Sequence, residues 1–489
     1  MSDNAEVLAD LNFGAVDSES EPDLDQVYLR TGDFERFIGP ARTELILGPK
    51  GSGKSALFQL FDRHEQTVRG WSGERLADVL LQPAVGMRDL SDLAGGELTR
   101  VLLKDDLDFE RLWKAYIGWK AAAAVARAKL PATGRLKQFQ RSNGMRRDWR
   151  IGPLLRRAWS AVMSDAVPGS LKVSLFGAGV EVGGSKSTPW DMSEVLRLAN
   201  LTAGQEGKTI WILFDNLDEL LSTHPKRRLE ALNALFTVCN QLRVSYTRIQ
   251  PRIFLRTDIW EDIAFNNKSH WVGKEMRLSW SDEQLLRLLL KRATSSAAVR
   301  AYIQQVIPKL TGQQAVDDMS GAELRATFFL LFEPNIENDK TGDAWRWMTA
   351  RSADGHGQAL PRELITFANL AVQIQQESRD ATDGPLVGRK AIRDAYPEVS
   401  RLRCETFLAE FPELRLHFAR FNARTSPRFH RAELDRLMSG LNPSGNAMID
   451  ALCDTGVLKP IDGHRETAQQ FDVPLLYRPG LKLRLRGGR

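Results

Sequence analysis

Cysteine is scarce. The three present in 489 residues, Cys239, Cys404 and Cys453, are spaced too widely for a disulfide framework or a zinc-ligand pattern, which suits a reducing cytoplasm. The seven histidines are scattered. There is no H-E-x-x-H, no C-x-x-C and no G-x-S-x-G, so metalloprotease, thiol-redox and serine-hydrolase schemes find no support. No apolar run approaches the ~18 residues that a membrane-spanning helix needs. The first 25 residues carry Asp3, Glu6, Asp10, Asp17, Glu19, Glu21, Asp23 and Asp25, the opposite of a signal peptide, so a cytoplasmic protein without membrane contact is expected. No internal repeat or heptad is visible. A net charge of +5 is small for this length, permitting nucleic-acid contact without arguing for it. Hydrophobic content of 43% and charged content of 26% are ordinary for a globular chain, and the length suits about three domains.

What is present is concentrated at residues 43–55, Thr-Glu-Leu-Ile-Leu-Gly-Pro-Lys-Gly-Ser-Gly-Lys-Ser. Leu45-Ile46-Leu47 reads as a short buried strand, and a helical stretch, 56–63, follows Gly53-Lys54-Ser55. This is G-x-x-x-x-G-K-[ST] in the strand–turn–helix context that the phosphate-loop motif requires. Gly48, Gly51 and Gly53 let the backbone turn tightly past Pro49, so the N–H groups from Lys50-Gly51-Ser52 through Ala56 can converge on a phosphate chain. The following helix adds the positive end of its dipole. Lys54 can reach the outer phosphates, and the Ser55 hydroxyl can join a Mg²⁺ shell.

Further strands are expected at 77–82, 209–214 and 252–257, with helices over 109–129 and 227–244. Strands alternating with helices imply an α/β fold with a parallel sheet. The run Thr-Ile-Trp-Ile-Leu-Phe at 209–214 is continuous and apolar, as a buried parallel strand is. It ends in Asp215-Asn216-Leu217-Asp218-Glu219. An acid at that tip, beside the P-loop strand, suits Mg²⁺ held through water; capping the next helix is the competing reading. Asp218 or Glu219 could position the attacking water, and the sequence does not choose between them.

The pattern Ile210 to Leu220 resembles the extended Walker B of signal-transducing STAND ATPases, including the NACHT group. AAA+ proteins place Glu directly after the Asp, where this chain has Asn216, so a slow ATPase is implied rather than a motor. By the same resemblance Arg256, in Leu255-Arg256-Thr257-Asp258, stands at the sensor-1 position, reading the γ-phosphate. Arg362, in Pro361-Arg362-Glu363-Leu364, stands at a sensor-2 position. An Arg packing on a neighbouring loop and a surface ion pair are the respective alternatives. Together these segments resemble bacterial P-loop ATPases of the Sll1717 type, relatives of the STAND and Orc/Cdc6-like AAA+ ATPases, over roughly residues 28–375. The resemblance implies ATP and Mg²⁺ as ligands, a protein effector or partner, nucleotide-dependent homo-oligomerisation and a place in anti-phage defence.

Asp215 lies 161 residues after Lys54, more than one strand–helix–strand step needs. Residues 88–188 therefore read as an insertion, helical and ending in a hairpin over 171–183. Within it, residues 127–157 hold ten Lys or Arg against the single acid Asp148, with Phe139 and Trp149 interleaved. Such a stretch could track a nucleic-acid backbone or be a solvated basic face. The expected layout is a polar N-terminal segment (1–26), the ATPase core (27–280), a helical lid (281–390) and a winged helix (391–489). In that last region helices are expected near 401–422, 430–440 and 444–454, then strands near 457–461 and 473–486, with Lys482, Arg484 and Arg486 on one face. The expected recognition helix at 444–455 carries Asp450 and Asp454 but no Lys or Arg, which phosphates would repel. The functional expectation is an ATP-driven switch that controls partner binding or assembly. A DNA-dependent ATPase or loader, and a nucleotide-binding scaffold with negligible turnover, are the alternatives.

Overall fold

The computed structural model describes residues 4–40, 42–86, 102–105, 107–142, 145, 191–221, 223–310, 312–336, 343–378 and 384–483. The predicted 171–183 hairpin, Arg146, Arg147, Arg150, Arg156, Arg157, Arg484 and Arg486 lie outside them. By its internal contacts the chain divides into two units, one of Gly32–Lys50 and Lys54–Leu278, the other of Met1–Thr31, Gly51–Gly53 and Ser279–Arg489.

The first unit is an α/β sandwich around five parallel strands: β1 (Leu45–Gly48), β2 (Val79–Val85), β3 (Thr209–Asp215), β4 (Ile249–Arg256) and β5 (Glu275–Arg277), in the order β2-β3-β4-β1-β5. The unbroken burial of Leu45-Ile46-Leu47-Gly48 and of Ile210 through Asp215 follows from helices covering both faces. One face carries Phe109–Arg127, Met192–Gln205 and Pro225–Ser245. The other carries Lys54–Arg63, whose Phe58 and Phe61 meet Phe254 and Phe37. Pro83 is tolerated within β2 because β2 is an edge strand; its carbonyl accepts from the Lys120 ammonium at 2.7 Å.

Helix Phe109–Arg127, grouped with an insertion on sequence spacing, is a core helix. It buries Trp113, Tyr116 and Trp119 against the sheet, and its Ala-rich stretch is what allows so close an approach. From the predicted basic segment, Arg127, Lys129, Arg135, Lys137 and Arg141 are described, while Phe139 is buried in this core and offers no stacking face.

The second unit has one continuous apolar core running from Val7 to Leu483. Its helices include Asp282–Ala293, Gly321–Leu331, Pro361–Glu377 and Arg389–Glu410. Pro361 opens its helix, as helix-start prolines do. The first of these helices is capped by Ser281, whose side chain accepts from the Gln284 amide in a reciprocal capping box. Asp282 instead accepts from Trp345 Nε1 at 2.7 Å.

The polar N-terminal segment is better packed than its composition suggests. Val7, Leu11 and Phe13 are fully buried, and Arg292 Nη1 donates to Phe13 O at 2.8 Å, Ala15 O at 2.9 Å and Glu21 Oε2 at 3.2 Å. Asn369 closes the clasp, accepting from the Phe13 amide and donating to Gly14 O.

The C-terminal part has a winged-helix arrangement. Helices Arg415–Arg420, Arg431–Leu437 and Gly445–Asp454 pack on an antiparallel sheet of β6 (Arg428–His430), β7 (Lys459–Pro460) and β8 (Gln470–Asp472), ordered β6-β8-β7. The strand predicted near 473–486 is displaced: Leu475–Tyr477 is a 3₁₀ turn and Lys482 has a φ of 52°, so the predicted row of basic residues on one strand face is not formed at Lys482. Asp450 and Asp454 both pair with Arg465.

Candidate functional site

The carboxyl ends of the parallel strands share one edge of the sheet. Gly48 registers with Arg256, and Val85 with Asp215. The Asp215 strand is not beside the P-loop strand, as sequence reasoning places it; β4 lies between them. The consequence is that Arg256 comes up between the lysine of the loop and the acids of β3.

Each side chain is held by its local backbone. Gly51 and Gly53 have φ of +87° and +94°, left-handed values that glycine adopts without strain. The turn delivers Lys54 to the first position of its helix, where the buried ammonium donates to Gly48 O and Pro49 O, each at 2.8 Å. Burial pulls the Lys54 pKa below that of an ordinary lysine, against the opposing pull of Asp218 and Asp215. Ser55 donates its hydroxyl to the Asp215 carboxylate, which also accepts the Asn216 amide. Burial nevertheless pushes the Asp215 carboxyl up from the ordinary carboxylate range, because desolvation outweighs these two bonds and the Lys54 charge.

Asn216 has φ +55°, a conformation in which Asn is several-fold enriched over other non-glycine residues. The chain therefore turns sharply just past Asp215. This gives a backbone reason for Asn at this position. Next to this turn Gly86 donates its amide to Asp215 O at 2.8 Å.

Of the two acids left open by the sequence, Asp218 is the one brought to the cluster. Its half-buried carboxylate lies 3.8 Å from Arg256 Nη1 and acts on Lys54, whereas Glu219 is exposed. Arg228 Nη1 donates to the Asp218 carbonyl at 3.2 Å. Arg256 gives Nε and Nη2 to the two Asp258 oxygens at 3.1 and 2.7 Å. Lys54, Ser55, Asp215, Asp218, Arg256 and Asp258 thus form one charged cluster within the first unit.

The remaining predicted residues line the loop or belong to the second unit. Pro49, Lys50 and Ala56 are half-buried on the loop and first helical turn. Ser52 is buried, and its Oγ has no hydrogen-bond partner among the described residues. Trp280 Nε1 donates to Ser52 O at 2.8 Å. Arg362 lies beside Gly51, where an added Cβ would stand 3.0 Å from the Arg362 Cβ, and its Nη1 is 3.8 Å from Glu410 Oε1. Sequence reasoning missed Asp258, Gly86, Arg228 and Trp280. Only Asp258 had a legible signal, two residues beyond Arg256 at the start of a helix.

An orphaned hydroxyl in the loop, two left-handed glycines and a Ser–Asp pair of hard oxygen donors fit a phosphate chain with Mg²⁺. Among the described residues no cluster of three or more His, Cys, Asp or Glu is placed to hold a metal ion. No described helix is long and apolar enough to cross a membrane.

No protein-family model and no curated protein matches the chain. Among solved structures it is similar to the Aeropyrum pernix ORC1 protein, determined in complex with DNA, at 14% identity and a TM-score of 0.35 over 94% of each chain. It is also similar to the Aeropyrum pernix ORC2 protein in ADPNP–ADP complexes, at 13% identity and a TM-score of 0.35 over 95% of this chain and 91% of that one. The third is Cdc6p from Pyrobaculum aerophilum, at 11% identity and a TM-score of 0.25 over 92% and 91%.

Proposed function

We propose that this chain binds ATP with Mg²⁺ and hydrolyses it slowly, as a nucleotide-dependent switch. The observation that carries the reading is the buried Lys54 ammonium, held at 2.8 Å from both Gly48 O and Pro49 O, beside Ser55 and Asp215. Backbone amides of residues 50–56 cradle the phosphates, and Lys54 exchanges its two loop carbonyls for phosphate oxygens. Ser55 and Asp215 would hold Mg²⁺, which when bound would supply neutralisation of phosphate charge. Asp218 positions the attacking water; Arg256 stabilises charge on the γ-phosphate and reports its presence.

The slow rate follows from Asn216. Its amide cannot act as a base, and its left-handed backbone ties the residue to the turn. The output is a change that gates binding of a protein partner or self-assembly, with anti-phage defence as the setting. The single core joining lid and winged helix supports a response of that unit as one body. A cytoplasmic location is part of this reading.

The test is steady-state ATP hydrolysis with Mg²⁺ for wild type, Asp218→Asn and Glu219→Gln. The proposal expects Asp218→Asn to lose roughly 10²-fold in turnover with nucleotide affinity retained, and Glu219→Gln to lose little. Wild-type turnover in Asp218→Asn contradicts the assignment. Turnover raised by duplex or single-stranded DNA would favour the loader reading instead.

A further inference from the structure

Trp280 belongs to no phosphate-binding pattern, yet it holds one peptide of the glycine-rich loop by a hydrogen bond. Its Nε1 donates to Ser52 O at 2.8 Å, and its ring comes beside Gly53, where an added Cβ would stand 3.6 Å from Trp280 Cζ2. By its contacts the loop tip Gly51–Gly53 groups with Ser279–Arg489, so indole and peptide sit in one unit. The indole is itself anchored. It packs against the apolar core of that unit, and the next residue, Ser281, caps a helix.

The bond matters because of the peptide on which it falls. The carbonyl and the N–H of a trans peptide point in opposite directions. Fixing the Ser52 carbonyl therefore fixes the Gly53 amide on the side away from the indole. Gly53 does not hold that orientation by itself. Its φ is +94°, and glycine populates φ of either sign about equally, so this peptide can turn over at little steric cost. The Ser52 hydroxyl does not brace it either: the buried Oγ has no hydrogen-bond partner among the described residues.

We propose, resting on the reading of this loop as a phosphate cradle, that Trp280 is its positioning residue. The indole N–H selects one orientation of the Ser52–Gly53 peptide and keeps the Gly53 amide turned toward the phosphate chain. Phosphate then meets a preformed donor, with no peptide to reorient on binding. Trp280 acts through the backbone and touches neither phosphate nor base.

The test is displacement of a fluorescent ATP analogue by ATP and by inorganic tripolyphosphate, with thermal stability recorded beside it. Three proteins are compared: wild type, Trp280→Phe and Tyr396→Phe. Trp280→Phe keeps a ring and removes the donor. It is expected to weaken ATP and tripolyphosphate by the same factor, roughly 3- to 10-fold, as loss of one net hydrogen bond would. Tyr396→Phe removes a side-chain bond to another carbonyl of the same unit, Leu475 O at 2.6 Å, and should leave both affinities at the wild-type level. Unchanged affinities in Trp280→Phe overturn the proposal. A loss confined to ATP also overturns it, since the indole would then be a contact for the base. An equal loss in Tyr396→Phe does the same, because it would mark a general loosening of the unit. If Trp280→Phe does not fold, a benzothienyl-alanine at position 280, which keeps the indole shape with sulfur in place of N–H, is judged by the same criteria. Absence of Lys54-dependent ATP binding in the wild type is a separate result that removes the phosphate-loop reading, and this role with it.

Discussion

Gly86 and Asn216 compete for one small space: a Cβ built on Gly86 would stand 2.6 Å from the Asn216 carbonyl oxygen. Backbone contact that close leaves no route for relief by a side-chain movement. Gly86 also has a φ of +43°, so any other residue there is strained twice over. Gly86→Ala is therefore expected to shift the turn that follows Asp215. It should cost about 1–3 kcal/mol of stability and weaken Mg²⁺-dependent nucleotide binding more than Mg²⁺-free binding. Equal weakening of both would show that Asp215 had not moved.

Asp215 gives the account a pH dependence. Its carboxyl is raised above the ordinary range by burial, and only the ionised form suits the metal shell. A raised pKa means the proton is retained to higher pH, so Mg²⁺-dependent affinity should fall as the pH drops from neutrality toward the usual carboxylate range. For Asp215→Asn that dependence should flatten, with metal-dependent affinity low throughout. Titration of nucleotide binding against pH at fixed Mg²⁺ measures it. An unchanged profile in Asp215→Asn would remove Asp215 from the metal role.

The N-terminal clasp predicts a stability effect remote from the site. Phe13 is fully buried against Phe332, with ring centroids 5.8 Å apart. Truncating a buried Phe to Ala typically costs about 3–5 kcal/mol. Phe13→Ala should lower the thermal midpoint clearly, whereas a change at exposed Asn12 should not. Calorimetry of the two variants decides whether the segment is part of the fold.

All three cysteines are buried and unpaired by disulfides. Burial pushes the Cys404 and Cys453 thiols up to about 12 and Cys239 higher still, so almost no thiolate exists at neutral pH. The native protein should react slowly with thiol reagents and release all three thiols only when denatured. Fast labelling of one cysteine in the native state would mean that its surroundings open locally.

Much of this was legible in the sequence, for reasons that differ by element. Gly48 to Ser55 and the run 209–215 are local patterns: a strand, a turn and a helix start need only neighbouring residues, and both appear where the pattern puts them. Strand order is not local. Nothing in Ile249 through Arg256 says that it lies between β1 and β3, and that placement is what brings Arg256 to Asp218. The choice between Asp218 and Glu219 was closed to sequence reasoning for a similar reason, since it depends on how a turn begun by the left-handed Asn216 aims each side chain. The polar N-terminal segment misled in another way. Its burial rests on Val7, Leu11, Phe13 and Leu24, and on carbonyls that bind Arg292 from hundreds of residues away.

Binding of a fluorescent ATP analogue with Mg²⁺, compared between wild type and Lys54→Ala, tests the central claim most directly. The buried Lys54 ammonium is the charge around which Gly48, Pro49, Asp215 and Asp218 are arranged. The account predicts saturable binding to the wild type and a loss of roughly two orders of magnitude or more in the variant, the scale for removing a buried charged contact to phosphate. Equal affinity in the two proteins would contradict it.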